Sequence, residues 1–441
     1  MKKNRSKKLS LTTRREFLST GGAGIGLMAM GAFAPSFLVD TVNAAGAAAL
    51  DKDGKILVLI KLGGGNDGMN MLVPTHDDQY YKNRPKIGIA KKDALMIDEN
   101  FGFNPRAPGY EELYKEGHMS VMLDVGYPNS TRSHFSGQDF YERGGGLEFS
   151  GTGWLGRYLD SECPQDQVRK INYPVATHIS RNLPITLRSK SPQPVFSMLS
   201  SDIKTQAART LDSNDDTSKL LKTAIQAAEK EENPKVNYLN MAYMNALITE
   251  EKVRDTIASY KADSPYPDHR IARDLKAVAA LVASGMGTRV YSLDIGGFDT
   301  HGQQLGRHGD LHEELSSSIL AFTKDLAAKK LSDKVIVMPY SEFGRRPYEN
   351  GSAGTDHGTM STFYAVGTGL NAGIFGTHPV IPSDNRSDSS WSDDTSIDFR
   401  QLYATVLDRW LDTDSKLVLN KEYKHIDFLL DTKKKSRSFL K

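Results

Sequence analysis

The run RVYSLDIGGFDTH (Arg289–His301) and its sequel KVIVMPYSEFGR (Lys334–Arg345) decide the fold. Each opens as an apolar, β-branched stretch that reads as a buried strand and closes in a turn carrying an acid. Between them, HGDLHEELSSSILAFTKDLAAKK places Leu311, Leu315, Ile319, Phe322 and Leu326 at helical spacing. Asp310, His308 and His312 read as the solvated face of that helix. The result is a strand–helix–strand unit, and in open α/β sheets ligands bind outside the carboxyl ends of the strands. Asp299, His301 and Glu342, with Asp356 and His357 of GTDHG (Gly354–Gly358), are therefore expected to converge. Oxygen and nitrogen donors of this kind suit one or two metal ions.

Outward from this unit, KILVLIKL (Lys55–Leu62), HMSVMLDVGY (His118–Tyr127) and TFYAVGTGL (Thr362–Leu370) read as further core strands. Ile271–Ser284 and Asp398–Leu411 read as amphipathic helices, and a further helix is expected to start near Arg132. From about residue 144 to 267 the strand–helix rhythm is lost. Thr217–Lys261 is rich in Lys, Glu and Ala and is broken at Pro234, so this stretch reads as a largely helical insertion able to cap the site. Gly351–Ala353 and Ser383–Asp394 read as polar surface loops.

GGGNDG (Gly63–Gly68) spells G-x-G-x-x-G after a strand, but Pro74 arrives too soon for the helix a dinucleotide site requires. The glycines read instead as a sharp turn that presents Asp67 at the strand end, and an Asn-Asp-Gly turn with no chemical role fits equally. NSTRSHF (Asn129–Phe135) offers the hydroxyls of Ser130, Thr131 and Ser133 beside His134, at a predicted helix start where backbone N–H groups favour anions. Any one of the three could be a nucleophile, or merely an N-cap. Asp299 and His301, two residues apart in an extended loop, can aim the same way.

The N-terminus is basic and carries Arg14 and Arg15 side by side, then an apolar Gly/Ala-rich stretch and Val42-Asn43-Ala44. It reads as a twin-arginine secretory signal over residues 1–44, which implies the twin-arginine translocase as a partner and a periplasmic or secreted destination. Without that segment the charge moves from +2 to near −3, so no basic footprint for nucleic acid remains. One cysteine, Cys163, excludes an intramolecular disulfide and reads as incidental. No later segment is long and apolar enough to span a bilayer.

The succession of twin-arginine signal, GGGNDGMN, TRSHF, GGFDTH, SEFGR and GTDHG resembles the secreted bacterial domain of unknown function family 1501 over nearly all of the mature chain. That family is placed in the alkaline phosphatase superfamily, with sulfatases and cofactor-independent phosphoglycerate mutases. The resemblance implies a doubly wound, alkaline-phosphatase-like α/β/α sandwich holding two divalent ions, Zn or Mg/Ca, around a hydroxyl or modified-cysteine nucleophile. It implies that Asp67 is similar to the superfamily's first-strand aspartate, and that Asp299, His301 and His357 are similar to ligands of one metal site. The spacing NS-x-x-x-H (Asn129–His134) resembles a mutase motif and favours Ser130, with Thr131 and Ser133 open. SEFG is similar to SDHG, with Glu342 for Asp and Phe343 for His, so the second metal position lacks an imidazole. A rival alignment sets GTDHG against SDHG and gives His378 the late-histidine role. The sulfatase signature C-x-P-x-R is absent at Cys163-Pro164. These features lead to an exported metal-dependent hydrolase of a small-molecule or glycan phosphate or sulfate ester, with a non-catalytic binding or assembly protein as the alternative.

Overall fold

In a computed structural model of the chain, the described residues are 54–149, 151–163, 173–191, 193–201, 249–359, 361–381, 383 and 395–430. The predicted secretory signal, residues 202–248 of the predicted insertion and the loop at 384–394 lie outside them. Twelve strands occur among the described residues: β1 (Ile56–Gly63), β2 (Leu72–Pro74), β3 (Leu95–Met96), β4 (Phe101–Phe103), β5 (Met119–Gly126), β6 (Ala176–Ile179), β7 (Val195–Met198), β8 (Val290–Gly296), β9 (Val335–Tyr340), β10 (Ser361–Val366), β11 (Gly373–Phe375) and β12 (Ile397–Asp398). Nine form one sheet in the order β11-β5-β10-β9-β1-β8-β6-β7, with β12 also paired to β5. Every pairing in it is parallel except the two made by β10. β2, β4 and β3 form a small antiparallel sheet.

β1 shows why the sheet is central. Its residues alternate between two hydrophobic clusters, Ile56, Val58, Ile60 and Leu62 on one face and Leu57 and Leu59 on the other. A strand apolar on both faces requires cover on both. Helices Pro108–Lys115, Arg270–Ala283 and Gln304–Ala328 supply the first layer. Helices His134–Arg143, Trp154–Glu162, Phe399–Arg409 and Ser415–Leu419 supply the second. The molecule is a three-layer α/β/α sandwich with a mostly parallel sheet, the predicted class.

Two local readings are corrected. The stretch 144–267, read as an insertion, contributes the helix Trp154–Glu162 and the strands β6 and β7 to the core, with β6 paired in parallel to β8. His308 and His312, read as solvated, are 1% and 0% exposed. Their helix packs against both Pro108–Lys115 and Arg270–Ala283, so a wider arc of it is buried than the leucine stripe indicates. Asp310 does remain on the surface, paired with Arg106.

β9, β1 and β8 are neighbours, so the loops leaving their carboxyl ends meet. Gly64 and Gly65 have φ of 125° and 83°, a backbone that L side chains rarely adopt. A Cβ on Gly64 would stand 2.7 Å from the Phe298 carbonyl carbon. Gly64→Ala is therefore expected to cost about 2–4 kcal/mol in urea unfolding, from left-handed strain plus overpacking.

Candidate metal centre

At this junction the side chains of four residues face one another. Asp299 and His301 come from the loop after β8, His357 from the segment before β10, and His134 from the first turn of helix His134–Arg143. The Nε2 atoms of His301 and His357 are 2.9 Å apart. Each is 3.1 Å from Asp299 Oδ1. His134 Nε2 lies 3.5 Å from Asp299 Oδ2. A tetrahedral zinc with bonds of about 2.0–2.1 Å separates its donors by about 3.3 Å. The observed separations bracket that value.

The opposite ring nitrogens decide what these Nε2 atoms can be. His301 Nδ1 donates to Asp356 Oδ1 at 3.0 Å, His357 Nδ1 to the Arg132 carbonyl at 2.8 Å, and His134 Nδ1 to Glu342 Oε1 at 2.8 Å. Each partner is a carbonyl or carboxylate that can only accept, so each Nδ1 is the donor, and each Nε2 is the nitrogen left to offer a lone pair inward to a metal ion. Three Nε2 atoms and a carboxylate gathered this closely form a donor set that a divalent cation would satisfy. An oxygen behind each ligating imidazole is also the usual arrangement at metal sites. The residues present thus fit one divalent ion, and His134, Asp299 and His357 have ligand atoms within 4.8 Å of one another.

Partial burial works to raise the Asp299 carboxyl, but hydrogen bonds from Arg345 and His357, with the Arg345 and His301 charges, hold it down at about 2. For Asp356, burial is outweighed by hydrogen bonds from Asn350 and His301, and its carboxyl too lies below the ordinary range. Arg345 is buried and fastens the loops together. It donates to the carbonyls of Gly64, Gly65, Phe298 and Thr355 as well as to Asp299 Oδ1 at 2.6 Å.

The remaining predicted site residues divide differently. Asp67 is 1% exposed and caps the short helix Gly68–Met71. Its Oδ2 accepts from Arg84 Nη1 at 2.6 Å and from Gln304 Nε2, so the carboxylate is spent on a buried ion pair. Glu342 is fully buried; its Oε1 accepts from the Gly64 amide at 2.8 Å and from His134. Phe343 lies beneath the imidazoles, its ring centroid 4.9 Å from that of His134 and 4.6 Å from that of His357. Aspartate in an ion pair, glutamate behind a histidine and phenylalanine under the rings leave no donor set for a second metal among these residues. His378 is bound to Asp77 at 3.1 Å, beside His76 and Phe101.

In the hydroxyl segment, the Ser130 Oγ is buried with no hydrogen-bond partner among the described residues, and the Thr131 Oγ1 accepts from the Ser133 amide at 3.1 Å. Ser133 is the N-cap residue of helix His134–Arg143 but makes no side-chain capping bond. Burial and the Glu162 charge push the Cys163 thiol up to about 12, which leaves it inert at neutral pH. The sequence did not single out Arg84 or Arg345. Asp356 was grouped with the ligands because it adjoins His357; its carboxylate instead orients His301.

Asp356→Ala removes that orienting oxygen at a half-buried position. Metal affinity is expected to fall about 10- to 100-fold in a chelator-competition titration, with little change in stability.

Residues 117–421 match the model of a family described as "Protein of unknown function (DUF1501)". No curated protein matches the chain. Among solved structures, the chain is similar to the PsFucS1 sulfatase from Pseudoalteromonas sp. at 12% identity and TM-score 0.35, over 93% of this chain and 76% of that one. It is similar to the C-terminal periplasmic domain of EcEptC from Escherichia coli, in complex with Zn, at 11% identity and TM-score 0.31, over 88% and 96%. The alkaline phosphatase from the Antarctic bacterium TAB5 matches at 12% identity and TM-score 0.28, over 73% and 95%.

Proposed function

We propose that this chain, which belongs to the DUF1501 family of proteins of unknown function, is a metal-dependent hydrolase of phosphate or sulfate esters. The observation that carries this reading is the common orientation of His134, His301 and His357, whose Nδ1 protons are all engaged and whose Nε2 atoms face Asp299. Three imidazoles and one carboxylate suit zinc better than magnesium or calcium, which prefer all-oxygen surroundings. A divalent ion held there supplies Lewis acidity to an oxygen of the transferred group.

The chain's own residues do the rest. Asp356, Glu342 and the Arg132 carbonyl keep the three rings in one tautomer. Arg345 keeps Asp299 ionised and in place. The attacking hydroxyl is best supplied by Ser133, between Arg132, whose carbonyl accepts from His357, and His134, whose ring joins the cluster. Its hydroxyl is not engaged in capping, and the helix behind it turns N–H groups toward an incoming anion. The twin-arginine-like leader supports action outside the cytoplasm. Among the described residues no helix is long and apolar enough to cross a membrane.

The test is turnover of 4-nitrophenyl phosphate and 4-nitrophenyl sulfate by the mature chain, metal-free and reconstituted with zinc. Activity restored by zinc and lost in Ser133→Ala, but kept in Ser130→Ala and Thr131→Val, supports the assignment. Zinc bound at one per chain with neither ester cleaved overturns it in favour of a binding or assembly protein.

A further inference from the structure

The polar loop Gly351–Ala353 is preceded by Asn350, whose side chain reaches back to the candidate metal centre. Backbone bonds hold the loop beside His301. The amides of Gln303 and Gln304, where helix Gln304–Ala328 begins, donate to the carbonyls of Ser352 and Ala353, both at 2.9 Å. The Asn350 amide donates to the Gly354 carbonyl at 2.8 Å, and the Glu349 amide to the Asn83 carbonyl at 2.9 Å.

The Asn350 side chain adds four bonds of its own. Its Oδ1 accepts from the amides of Ser352 at 2.9 Å and Gly354 at 3.2 Å. Its Nδ2 donates to the His301 carbonyl at 2.9 Å and to Asp356 Oδ1 at 3.2 Å. The amide can sit only this way round. Backbone N–H groups only donate, and a carbonyl or carboxylate only accepts, so the flipped amide would mismatch all four partners.

Asp356 Oδ1 is the same oxygen that accepts from His301 Nδ1 at 3.0 Å. Asn350 therefore grips His301 twice, at its carbonyl and, through Asp356, at its ring. The Asp356 carboxylate needs such a hold. Its backbone is pinned by the Arg346 amide, which donates to its carbonyl at 2.9 Å, and by the adjacent bridge between Arg345 and His357. Its side chain is 42% exposed, however, and an unrestrained rotamer change would carry the oxygen away from the ring. The other two rings are backed differently. Behind His357 stands the Arg132 carbonyl, a main-chain oxygen, and behind His134 the fully buried Glu342.

We infer that Asn350 is a positioning residue of the metal centre: by fixing the Asp356 carboxylate behind His301, it holds that ring in one tautomer with Nε2 turned toward Asp299. The role presupposes that His134, Asp299, His301 and His357 hold an ion, and one arm of the test needs no ion.

The mature chain and its Asn350→Ala, Asp356→Ala and double variants are titrated with zinc against a competing chelator. Ring-nitrogen NMR spectra of the metal-free chains at alkaline pH report the tautomer of His301. Asn350→Ala is expected to weaken zinc binding about 10-fold, the lower end of the cost of losing a partner behind a metal ligand. In the Asp356→Ala background the same change is expected to matter less than about twofold, because the carboxylate it acts through is already gone. In the metal-free Asn350→Ala chain, His301 is expected to pass from one tautomer, protonated at Nδ1, to a mixture of both. Asn350→Ser, whose hydroxyl can still close the turn but falls short of Asp356, serves should the Ala variant fail to fold. Unchanged zinc affinity, losses that multiply in the double variant, or a single His301 tautomer in Asn350→Ala would each overturn the role. A wild-type chain that binds no zinc sinks the metal reading instead, and the His301 tautomer then decides for or against Asn350 alone.

Discussion

Asp299→Ala is expected to reduce bound zinc from one per chain to a small fraction and to lower ester hydrolysis by on the order of 10³-fold or more. The magnitude follows from the several kcal/mol of charge stabilisation that a metal supplies to a transition state, at tenfold per 1.36 kcal/mol. Asp299 Oδ1 lies within 3.1 Å of both the His301 and His357 Nε2 atoms, and Oδ2 faces His134, so no other residue holds the cluster together as it does. The fold should survive. The side chain is 47% exposed, and Arg345 keeps its four carbonyl partners when the carboxylate is gone. Metal analysis by mass spectrometry, with circular dichroism on the same sample, checks all three parts. Zinc at one per chain with turnover within threefold of wild type would refute the site.

The second large effect lies in stability. Arg84→Met is expected to destabilise the chain by about 3–5 kcal/mol, because it leaves the Asp67 carboxylate buried without its counter-charge. Both side chains are essentially inaccessible, at 0% and 1%. Arg84 also donates to Asn70 Oδ1 at 2.7 Å and to the carbonyls of Pro347 and Arg346, so its loss frees several acceptors at once. Burial alone would raise the Asp67 carboxyl, but the charges of Arg84 and His308 and the bonds from Arg84 and Gln304 hold it below 3.8. The sign follows from a depressed carboxyl. The pair's stabilisation is complete above the unfolded value and is lost as pH falls through the lower folded one. Urea midpoints at pH 7 for Arg84→Met, Asp67→Asn and the double variant measure the coupling. A double variant more stable than Arg84→Met confirms a stranded carboxylate; additive losses would show that the two residues act independently.

The core strands and the long helix were legible because their signals are local. Leu57 to Leu62 and Val335 to Tyr340 are nearly unbroken apolar runs, as strands covered on both faces must be, and Val290 to Ile295 departs from this only at Ser292 and Asp294. The strands β6 (ATHI) and β7 (VFSM) were missed because four residues with polar members give no period to read, and their partners are remote in sequence. In the site, GGFDTH and GTDHG were legible because neighbouring residues carry the chemistry together. Roles were less so. Asp67 and Glu342 look like ligands by type and position, yet Arg84 and the His134 ring claim them, and no short-range pattern announces either partner. His308 and His312 were placed outside because a stripe of leucines defines only the centre of a buried arc. Both in fact donate to Asn66 Oδ1, in the turn after β1.

The four carbonyls gathered by Arg345 have an evolutionary corollary. They hold the strand-end loops in position through backbone groups, which every residue type possesses, and not through the side chains of the candidate metal cluster. A lineage could exchange His301, His357 or Asp299, lose the candidate site and still inherit the same scaffold. Sequence drift at those three positions, with Arg345 and the glycines of the first turn retained, would mark relatives that have turned the sandwich to another use.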